Sequence, residues 1–400
     1  MSAPVPNSRR DFVFVALAFA ITMIGTTLPT PLYALYQQQL GFDATWITLI
    51  FSIYAAGVIA ALLLVGSWSD QLGRRPLLLA GLAMGAISAL IFLTTHSVSG
   101  LMIGRLFSGF SAGIMTGTGT VAVIELAPQA WRNQATLMAT AANMLGLGCG
   151  PFLAGLTSDF LPWPLHLVYW VHLAMLAAAA VAVILARETA QRPVKVRLKV
   201  QRPSIPAPVR PMFLPAAIAG LAGFSVAGLF TSMVPSLMHQ VMEQHSGTLI
   251  GALIGLFFVA SVAGQALLKW LPPSSHMTLG CMGLMLGMLC LGASIGAGQI
   301  LILLLAGVLA GAGQGMVFRA GMGAVTAATP PHHKAAVTSA LFLVFYFSMS
   351  LPVIALGFAL PEFGLRHAGE VFSAMVAVIA LLAMLSMRRA QGRQMASNTQ

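Results

Sequence analysis

Three ionisable side chains lie inside long apolar stretches of this chain, where an isolated charge is costly. Arg105, Arg319 and His172 each sit in a run of roughly twenty mostly apolar residues. A charge at such depth needs water, a buried partner or a functional role, and an imidazole can exchange a proton near neutral pH. These residues predict anion-binding or proton-transfer chemistry. The structural alternative is that they only bond to neighbouring helices.

No carboxylate occurs at mid-depth in any of these runs. Glu125, followed by Pro128 and Arg132, comes at the end of the fourth run and is interpreted as a loop brace. Two embedded cations without an embedded acid favour an anionic or zwitterionic ligand over a cationic one. Arg319 could instead bind the ends of neighbouring helices, and that alternative stays open.

A short polar loop after the second apolar run carries one acid and two arginines. It reads Gly66-Ser-Trp-Ser-Asp70-Gln-Leu-Gly73-Arg74-Arg75. The two glycines permit a tight turn, and Asp70 can reach an arginine or a helix N-terminus. Ordinary topology charges explain the arginines but not the Gly/Asp/Gly spacing. We therefore expect a conformational clasp that holds two halves of the molecule together in one state and releases them in the other.

The composition requires a membrane-embedded helical bundle. Of 400 residues, 58% are hydrophobic and only 7% are charged, whereas soluble domains carry about a quarter charged residues. Apolar runs longer than about eighteen residues are typical of spanning helices rather than of barrel strands. The net charge of +11 does not indicate nucleic-acid binding, because the basic residues lie in short loops between the runs.

Twelve spanning segments are predicted, and the even number places both termini on the same side. Their bounds are 12–36, 44–66, 76–95, 99–124, 133–156, 165–186, 211–237, 247–269, 276–296, 299–326, 334–359 and 369–387. One set of loops holds Arg9, Arg10, Arg74, Arg75, Arg132, the cluster from Arg187 to Arg210, Lys269, Lys334, Arg388, Arg389 and Arg393, and the other holds Arg366 alone. This bias predicts that both termini face the cytoplasm.

The chain is predicted to repeat itself once. At an offset of 202 residues, Gly109 aligns with Gly311, Gly113 with Gly315, Pro128 with Pro330, Arg132 with Lys334, and Gly155 with Gly357. The predicted organisation is a six-helix half (1–186), a basic linker (187–210), a second six-helix half (211–388) and a tail (389–400). Such repeats predict a substrate site between the halves. The linker could bind a regulatory lipid, but a topological role already explains its charge.

Glycine and proline patterns mark three segments. In the fourth, Gly109 and Gly113 follow Arg105 on one helical face. The fifth contains Gly146-x-x-x-Gly150-Pro151-x-x-x-Gly155, in which small residues permit close helix approach and proline kinks the helix. The first ends in Pro29-Thr-Pro31-Leu-Tyr33.

Together these motifs resemble those of the major facilitator superfamily. The loop matches at Gly66, Asp70, Gly73, Arg74 and Arg75, and it departs at Trp68, where the family usually has leucine, and at Gln71, usually basic. The fourth segment resembles the family's proton-coupling motif, with Ser108 in place of the usual glutamine. The fifth resembles the motif of exporters, especially proton-coupled drug antiporters, with Ala154 in place of a glycine. The proline pattern is similar to one in twelve-helix exporters, but the acid that many of them carry is missing.

The resemblance implies the superfamily fold, an all-α membrane protein with twelve transmembrane helices in two pseudo-symmetric halves. It implies a cavity lined by the first, fourth, seventh and tenth segments, with Arg105, Arg319, His172, Pro29, Pro31 and Tyr33 as candidate coupling or substrate residues. The expected function is a secondary active transporter, a proton-coupled exporter of a small organic molecule by rocker-switch alternating access. The alternative is a proton symporter importing an organic anion or sugar.

The remaining expectations concern partners and other classes of protein. No Ser/His/Asp set, H-E-x-x-H or phosphate loop is present, and the loops are too short for a sensor domain, so an enzyme or a receptor is disfavoured. We expect a monomer in the inner membrane that uses protons and a small-molecule substrate within the lipid bilayer. No nucleic acid, cofactor or metal is expected.

Overall fold

The computed structural model describes residues 9–66, 68–190, 200, 203–330 and 333–398, and it leaves out the side chains of 335 and 387–398. The predicted linker 187–210 and tail 389–400 are therefore covered only in part. Residues 191–199, 201 and 202 of the linker, with most of its basic cluster, lie outside the described residues.

The described chain is built of helices, which confirms the all-α prediction. Up to the predicted linker, the helices are α1 (Arg9–Thr27), α2 (Tyr33–Leu40), α3 (Ala44–Val65), α4 (Ser69–Leu72), α5 (Arg74–Thr94), α6 (Val98–Ile114), α7 (Thr120–Leu126), α8 (Ala135–Phe160) and α9 (Pro164–Leu185). After it come α10 (Arg210–Ser232), α11 (Val234–Gln240), α12 (Gly247–Leu267), α13 (His276–Ala297), α14 (Ile300–Ala328) and α15 (Lys334–Asn398). Short turns of 3-10 helix, and a π-helical turn at Met115–Gly119 between α6 and α7, connect some of them.

Eleven stretches of the described chain are long and apolar enough to cross a membrane. The last, Ala336–Ser386, has 51 residues, and at about 1.5 Å per residue it is more than twice as long as one span requires. Gly364 interrupts it with non-helical backbone angles (φ 69°, ψ 160°). Counting the two sides of Gly364 separately gives the twelve spans predicted from the sequence.

Two compact units divide the chain by contact density. Unit 1 comprises Met1–Leu40 and Ile53–Gln201, and unit 2 comprises Gly41–Ser52 and Arg202–Gln400. In unit 1, α1 packs on α8 and α9, and α5 packs on α6 and α9. In unit 2, α14 packs on α12 and α13, and α15 packs on α10 and α13. The first turns of α3, up to Ser52, thus group with unit 2.

The glycines of the predicted repeat make equivalent contacts within each unit. A Cβ atom added to any of these four glycines would overlap a backbone carbonyl of a neighbouring helix. In unit 1 the carbonyl of Tyr54 lies against Gly109 and that of Val58 against Gly113, and in unit 2 the carbonyl of Phe257 lies against Gly311 and that of Ser261 against Gly315. The four carbonyl positions follow the same spacing in α3 and in α12. Because only glycine lets two helix backbones approach so closely, the repeat in the sequence corresponds to a repeated helix contact.

Proline creates a second recurring contact. Pro151 lies inside α8 and lacks the N–H that would bond to the carbonyl four residues earlier. That carbonyl belongs to Leu147, and the hydroxyl of Thr27 in α1 donates to it at 2.7 Å. A backbone carbonyl in the apolar interior is costly without a donor, so Thr27 replaces the bond that Pro151 removes.

The same arrangement occurs twice in unit 2. Pro352 and Pro361 both lie inside α15, and the carbonyls four residues before them belong to Ser348 and Gly357. Ser225 of α10 donates its hydroxyl to the Ser348 carbonyl at 2.9 Å. Thr45 of α3 donates to the Gly357 carbonyl at 3.1 Å. For each of these three prolines, a serine or threonine hydroxyl from another helix therefore donates to the carbonyl that the proline leaves without a backbone donor.

We expect Thr27→Val to lower the stability of the folded protein by about 1 kcal/mol, because it leaves the Leu147 carbonyl without a donor. The effect should shrink in a Pro151→Ala background, where residue 151 regains an N–H for that carbonyl. Unfolding of the four proteins in detergent measures the coupling. Thr157→Val, whose hydroxyl bonds to a carbonyl of its own helix, is the matched control. Equal effects of Thr27→Val in both backgrounds would contradict this explanation.

Candidate functional site

The polar loop predicted as a clasp forms a tight turn between α4 and α5. Gly73 has φ 107° and ψ 155°, a backbone conformation that residues with a side chain rarely adopt. A Cβ on Gly66 would overlap the Leu62 carbonyl at the end of α3. Both glycines therefore serve the turn as expected from their spacing, and they bring Asp70 and Arg74 together at the start of α5.

Arg74 is the centre of a charge network in unit 1. Its guanidinium lies 2.6 Å from Asp70 and 3.0 Å from Glu125, donates to Glu125 through a second nitrogen, and donates to the hydroxyl of Ser69 at 2.7 Å. Paired bonds from one guanidinium to one carboxylate are among the stronger polar contacts in proteins. Glu125, interpreted as a loop brace from the sequence, is thus a direct partner of the predicted clasp.

The first residues of the predicted linker complete this network. Glu188 accepts the backbone N–H groups of Arg74 at 2.8 Å and Arg75 at 3.1 Å, which places a carboxylate at the N-terminus of α5, where the helix dipole favours negative charge. Thr189 donates its hydroxyl to Glu125. Arg187 lies 3.6 Å from Asp11 at the start of α1. Three consecutive linker residues thus each bind a different part of unit 1.

Hydrogen bonding changes the acidity of Glu188. Partial burial alone would raise its pKa, but four backbone N–H groups, those of Arg74, Arg75, Thr189 and Ala190, stabilise the charged form. Their combined effect lowers the pKa below its ordinary value. Glu188 is therefore a charged cap for α5 at neutral pH.

Arg105 is fully enclosed in unit 1, with 1% of its surface exposed. Its guanidinium donates to the Thr26 carbonyl of α1 and lies 4.6 Å from the centre of the Tyr54 ring of α3, a favourable cation–π distance. The structure therefore contains the helix-tying contact named as the alternative for this arginine. Its predicted part in proton coupling stays a prediction.

His172 faces a small enclosed polar cavity between α1, α5, α6 and α9. The ring is 3% exposed and rests against Gly25 of α1, where a Cβ would overlap the imidazole. The cavity offers about 10 Å³, roughly the space of one water molecule. His172 and Ser108 both line it. Among the lining residues that the structure describes, His172 Nδ1 and Ser108 Oγ are the two buried polar atoms without a hydrogen-bond partner.

The proline pattern ends α1 and redirects the chain. α1 stops at Thr27, and a 3-10 turn at Thr30–Leu32 leads into α2 at Tyr33. Pro29 precedes this turn, and Pro31 lies within it. The single helix predicted over 12–36 is therefore interrupted, because neither proline can donate the N–H that would continue it. The Tyr33 side chain is buried.

The glycines of the predicted exporter motif lie at the contact between α8 and α1. A Cβ on Gly146 would crowd the Ala20 carbonyl, and one on Gly150 would overlap the Ile24 carbonyl. Pro151 follows at once, and Gly155 is buried one turn further along α8. Three of the four motif residues, Gly146, Gly150 and Pro151, thus directly shape the approach of α8 to α1.

Arg319 lies in α14 of unit 2, away from the midpoint of that helix. It donates to the Gln265 carbonyl at 2.9 Å, close to the end of α12 at Leu267. This is the helix-end contact given as its alternative. Arg105 belongs to unit 1 and Arg319 to unit 2, and a shared cavity for the two stays a prediction.

An aromatic cluster in unit 2 was not identified from the sequence. Phe224 of α10 stacks on Phe345 of α15 with ring centres 4.5 Å apart, and it contacts Phe318 of α14 and Tyr346 of α15 at 6.0 and 6.3 Å. Phe342 joins the same cluster. Phe224, Phe318 and Phe342 are only partly buried, so the cluster offers exposed ring surface. The i, i+3, i+4 spacing of Phe342, Phe345 and Tyr346 was the available signal.

Comparison with known proteins gives consistent results. A sequence model described as the Major Facilitator Superfamily matches residues 15–353. An uncharacterized MFS-type transporter of Methanocaldococcus jannaschii is 29% identical over 157 residues, 39% of this chain and 41% of that protein. The chloramphenicol resistance protein CraA of Acinetobacter baumannii is 28% identical over 165 residues, 41% of this chain and 39% of that protein.

A solved structure is similar over nearly the whole chain. The human organic anion transporter MFSD10 aligns with a TM-score of 0.67 at 19% identity, covering 96% of this chain and 100% of that one. At this identity the likeness concerns the fold alone.

The matched part of the chain spans well under half the length of the two relatives compared by sequence, 41% of the Methanocaldococcus protein and 39% of the Acinetobacter protein.

Glu188→Gln should destabilise the protein at neutral pH by about 0.5 kcal/mol, the usual size of a charge–dipole contact at a helix end. The pKa of Glu188 is lower in the folded protein than in the unfolded chain. Its contribution to the free energy of unfolding is therefore complete above the unfolded-state pKa of about 4.3, and it is lost as the pH falls through the lower folded-state pKa. The gap in Tm between variant and wild type should therefore narrow in acid. The control is Glu362→Gln, an exposed acid in unit 2. A gap that stays constant down to acid pH would contradict the charged cap.

Proposed function

Because this chain belongs to the Major Facilitator Superfamily, we propose that it is a proton-coupled exporter of small, largely apolar organic molecules. It is a multi-pass membrane transporter rather than an enzyme. In this proposal it lies in the inner membrane with both termini in the cytoplasm, and its two halves alternate access by a rocker-switch motion. It functions as a monomer.

The contact between α8 and α1 is the observation that carries the proposal. Gly146, Gly150 and Pro151 bring α8 against the backbone of α1, and Thr27 joins the two helices at the carbonyl that Pro151 leaves open. These glycines and this proline are the residues that resemble the exporter motif. The similarity to a chloramphenicol resistance protein over two fifths of the chain, 41%, supports the same direction of transport.

The substrate class follows from the chemistry of the described residues. The aromatic cluster around Phe224, Phe318 and Phe342 provides partly exposed rings that can stack on an aromatic solute. The spanning segments contain no carboxylate at mid-depth, so a cationic drug would find no counter-charge there. A neutral or weakly anionic aromatic molecule fits both features.

Proton transfer is assigned to the His172 cavity. His172 and Ser108 line the same water-sized space, and His172 Nδ1 and Ser108 Oγ lack hydrogen-bond partners. A water in that space can pass a proton to the imidazole. Tyr169 from α9 lines the same cavity, and none of its lining residues carries a carboxylate. Of the residues that line this cavity, His172 has the side chain whose unperturbed pKa is nearest to neutral pH.

Arg105 connects protonation to α1. The imidazole rests on Gly25, and Arg105 donates to the carbonyl of the next residue, Thr26. A proton on His172 therefore puts two positive charges against adjacent residues of one helix. Their repulsion weakens the hold of Arg105 on α1, and a weakened hold on a cavity-forming helix is how proton uptake would favour a change of conformation.

Purified protein in proteoliposomes tests direction and coupling together, with chloramphenicol, the drug named for the Acinetobacter relative, as the first probe of a panel of aromatic solutes. An antiporter accumulates solute when the interior is acidic and loses this accumulation when an ionophore collapses the gradient. Accumulation only with an acidic exterior would support the symporter alternative. Absence of any gradient-driven flux across the panel would overturn the proposal.

In the same assay, His172→Gln should abolish accumulation driven by the pH gradient but retain solute exchange at equal pH. Glutamine keeps a polar side chain in the cavity yet cannot take up a proton. His166→Gln, an exposed histidine near the start of the same helix, should behave as wild type. Gradient-driven accumulation by His172→Gln at the normal rate would rule out His172 as the proton carrier without affecting the proposed direction of transport.

Asp70→Asn should abolish transport while leaving the protein folded. Arg74 keeps its contacts to Glu125 and Ser69, so the turn survives, but the clasp loses the charge on which its proposed latching of the cytoplasmic side depends. Transport rate and apparent Tm, measured together, separate the two effects. Asp159→Asn, an exposed acid at the end of α8, is the matched control, and normal transport by Asp70→Asn would refute the latch.

A further inference from the structure

A large basic cavity that includes Arg319 lies within unit 2. It has a volume of about 540 Å³. Its walls come from the start of α10, the end of α12, the start of α13 and the last third of α14, and they include Met212, Leu268, Lys269, His276, Met277 and Arg319. These are the helix ends predicted to face the cytoplasm.

Three basic side chains converge on this cavity and are held in place by other contacts. Arg319 uses one N–H on the Gln265 carbonyl, and a guanidinium has five N–H donors in all. His276 Nε2 donates to the Leu271 carbonyl at 2.9 Å. The Lys269 ammonium lies 3.9 Å from the centre of the Trp270 ring, which positions it at the rim.

None of the residues that line the cavity is an acid. Between Glu243 and Glu362 the sequence contains no aspartate or glutamate, and this interval includes α12, α13 and α14 entirely. Around Arg74 in unit 1, by contrast, Asp70, Glu125 and Glu188 all lie within hydrogen-bonding distance. The cavity of unit 2 has the cations without the acids, which favours a bound anion as the counter-charge.

The remaining walls indicate an amphiphilic anion. Met212, Leu268 and Met277 provide apolar surface beside the cations. Trp270 is 68% exposed next to Lys269, and exposed tryptophan is typical of the level of the lipid headgroups. A phosphate at Arg319 and Lys269 with hydrocarbon along the methionines and Leu268 would satisfy both kinds of surface.

We propose that this cavity binds the headgroup of an anionic phospholipid from the cytoplasmic leaflet. Anionic lipids are concentrated in that leaflet and attract basic residues at the membrane surface. The phosphate takes the N–H groups of Arg319 and the Lys269 ammonium, with His276 at its side. Arg319 is then a lipid-binding residue rather than a contact for the transported molecule, and this assignment is independent of the direction of transport.

Native mass spectrometry of the purified protein in neutral detergent, titrated with phosphatidylglycerol or phosphatidylcholine, tests the proposal. We expect tighter binding of phosphatidylglycerol, weakened about fivefold by each of Lys269→Gln and Arg319→Gln, as expected for the loss of one basic contact. Lys334→Gln, an exposed lysine at the start of α15, should bind as wild type does. Because Lys269 is exposed, its substitution should not disturb folding. The Lys269→Gln variant therefore still tests the proposal if Arg319→Gln fails to fold.

Three outcomes would overturn the proposal. The first is equal affinity for the two lipids, and the second is undiminished binding of phosphatidylglycerol by Lys269→Gln. The third is equally tight binding of glycerol 3-phosphate, which would identify a site for soluble phosphates instead of a lipid. None of these outcomes bears on the pH-driven transport assay, so the two proposals can fail separately.

Discussion

A spanning helix has no water to satisfy its backbone, and this constraint organises both units of the protein. Pro151, Pro352 and Pro361 each remove one donor from a helix, and each lost bond is replaced by a hydroxyl from another helix. The replacement works only if the donor helix lies within about 3 Å of a specific carbonyl. The prolines therefore fix which helices touch and at what height, in addition to bending the chain.

Glycine contacts and the charge network build on that arrangement. Close backbone contacts of Gly109 with α3 and of Gly311 with α12 hold the helices of each unit at short range, where Arg105 and His172 can both touch α1. The network around Arg74 then fixes the loop, the start of α5 and the first linker residues to one another.

The sequence predicts what depends on local pattern and misses what depends on distant partners. Apolar run length located the spans, and glycine spacing identified the turn at Gly73, because both are short-range properties. The sequence did not predict that Glu188 caps α5 or that Thr27 serves Pro151, since those residues are separated by more than a hundred positions. The break of α1 at Thr27 was missed because hydropathy does not register the lost donors of Pro29 and Pro31.

The pairing of a proline with a distant hydroxyl has a consequence for how the sequence can change over time. If the proline is replaced first, the restored amide satisfies the carbonyl, and the hydroxyl becomes dispensable. If Thr27 is replaced first, the carbonyl is stranded and the lineage carries a defect until position 151 changes too. The hydroxyl should therefore be gained before the proline and lost after it. A lineage that began with neither feature will have passed through a form with the hydroxyl alone.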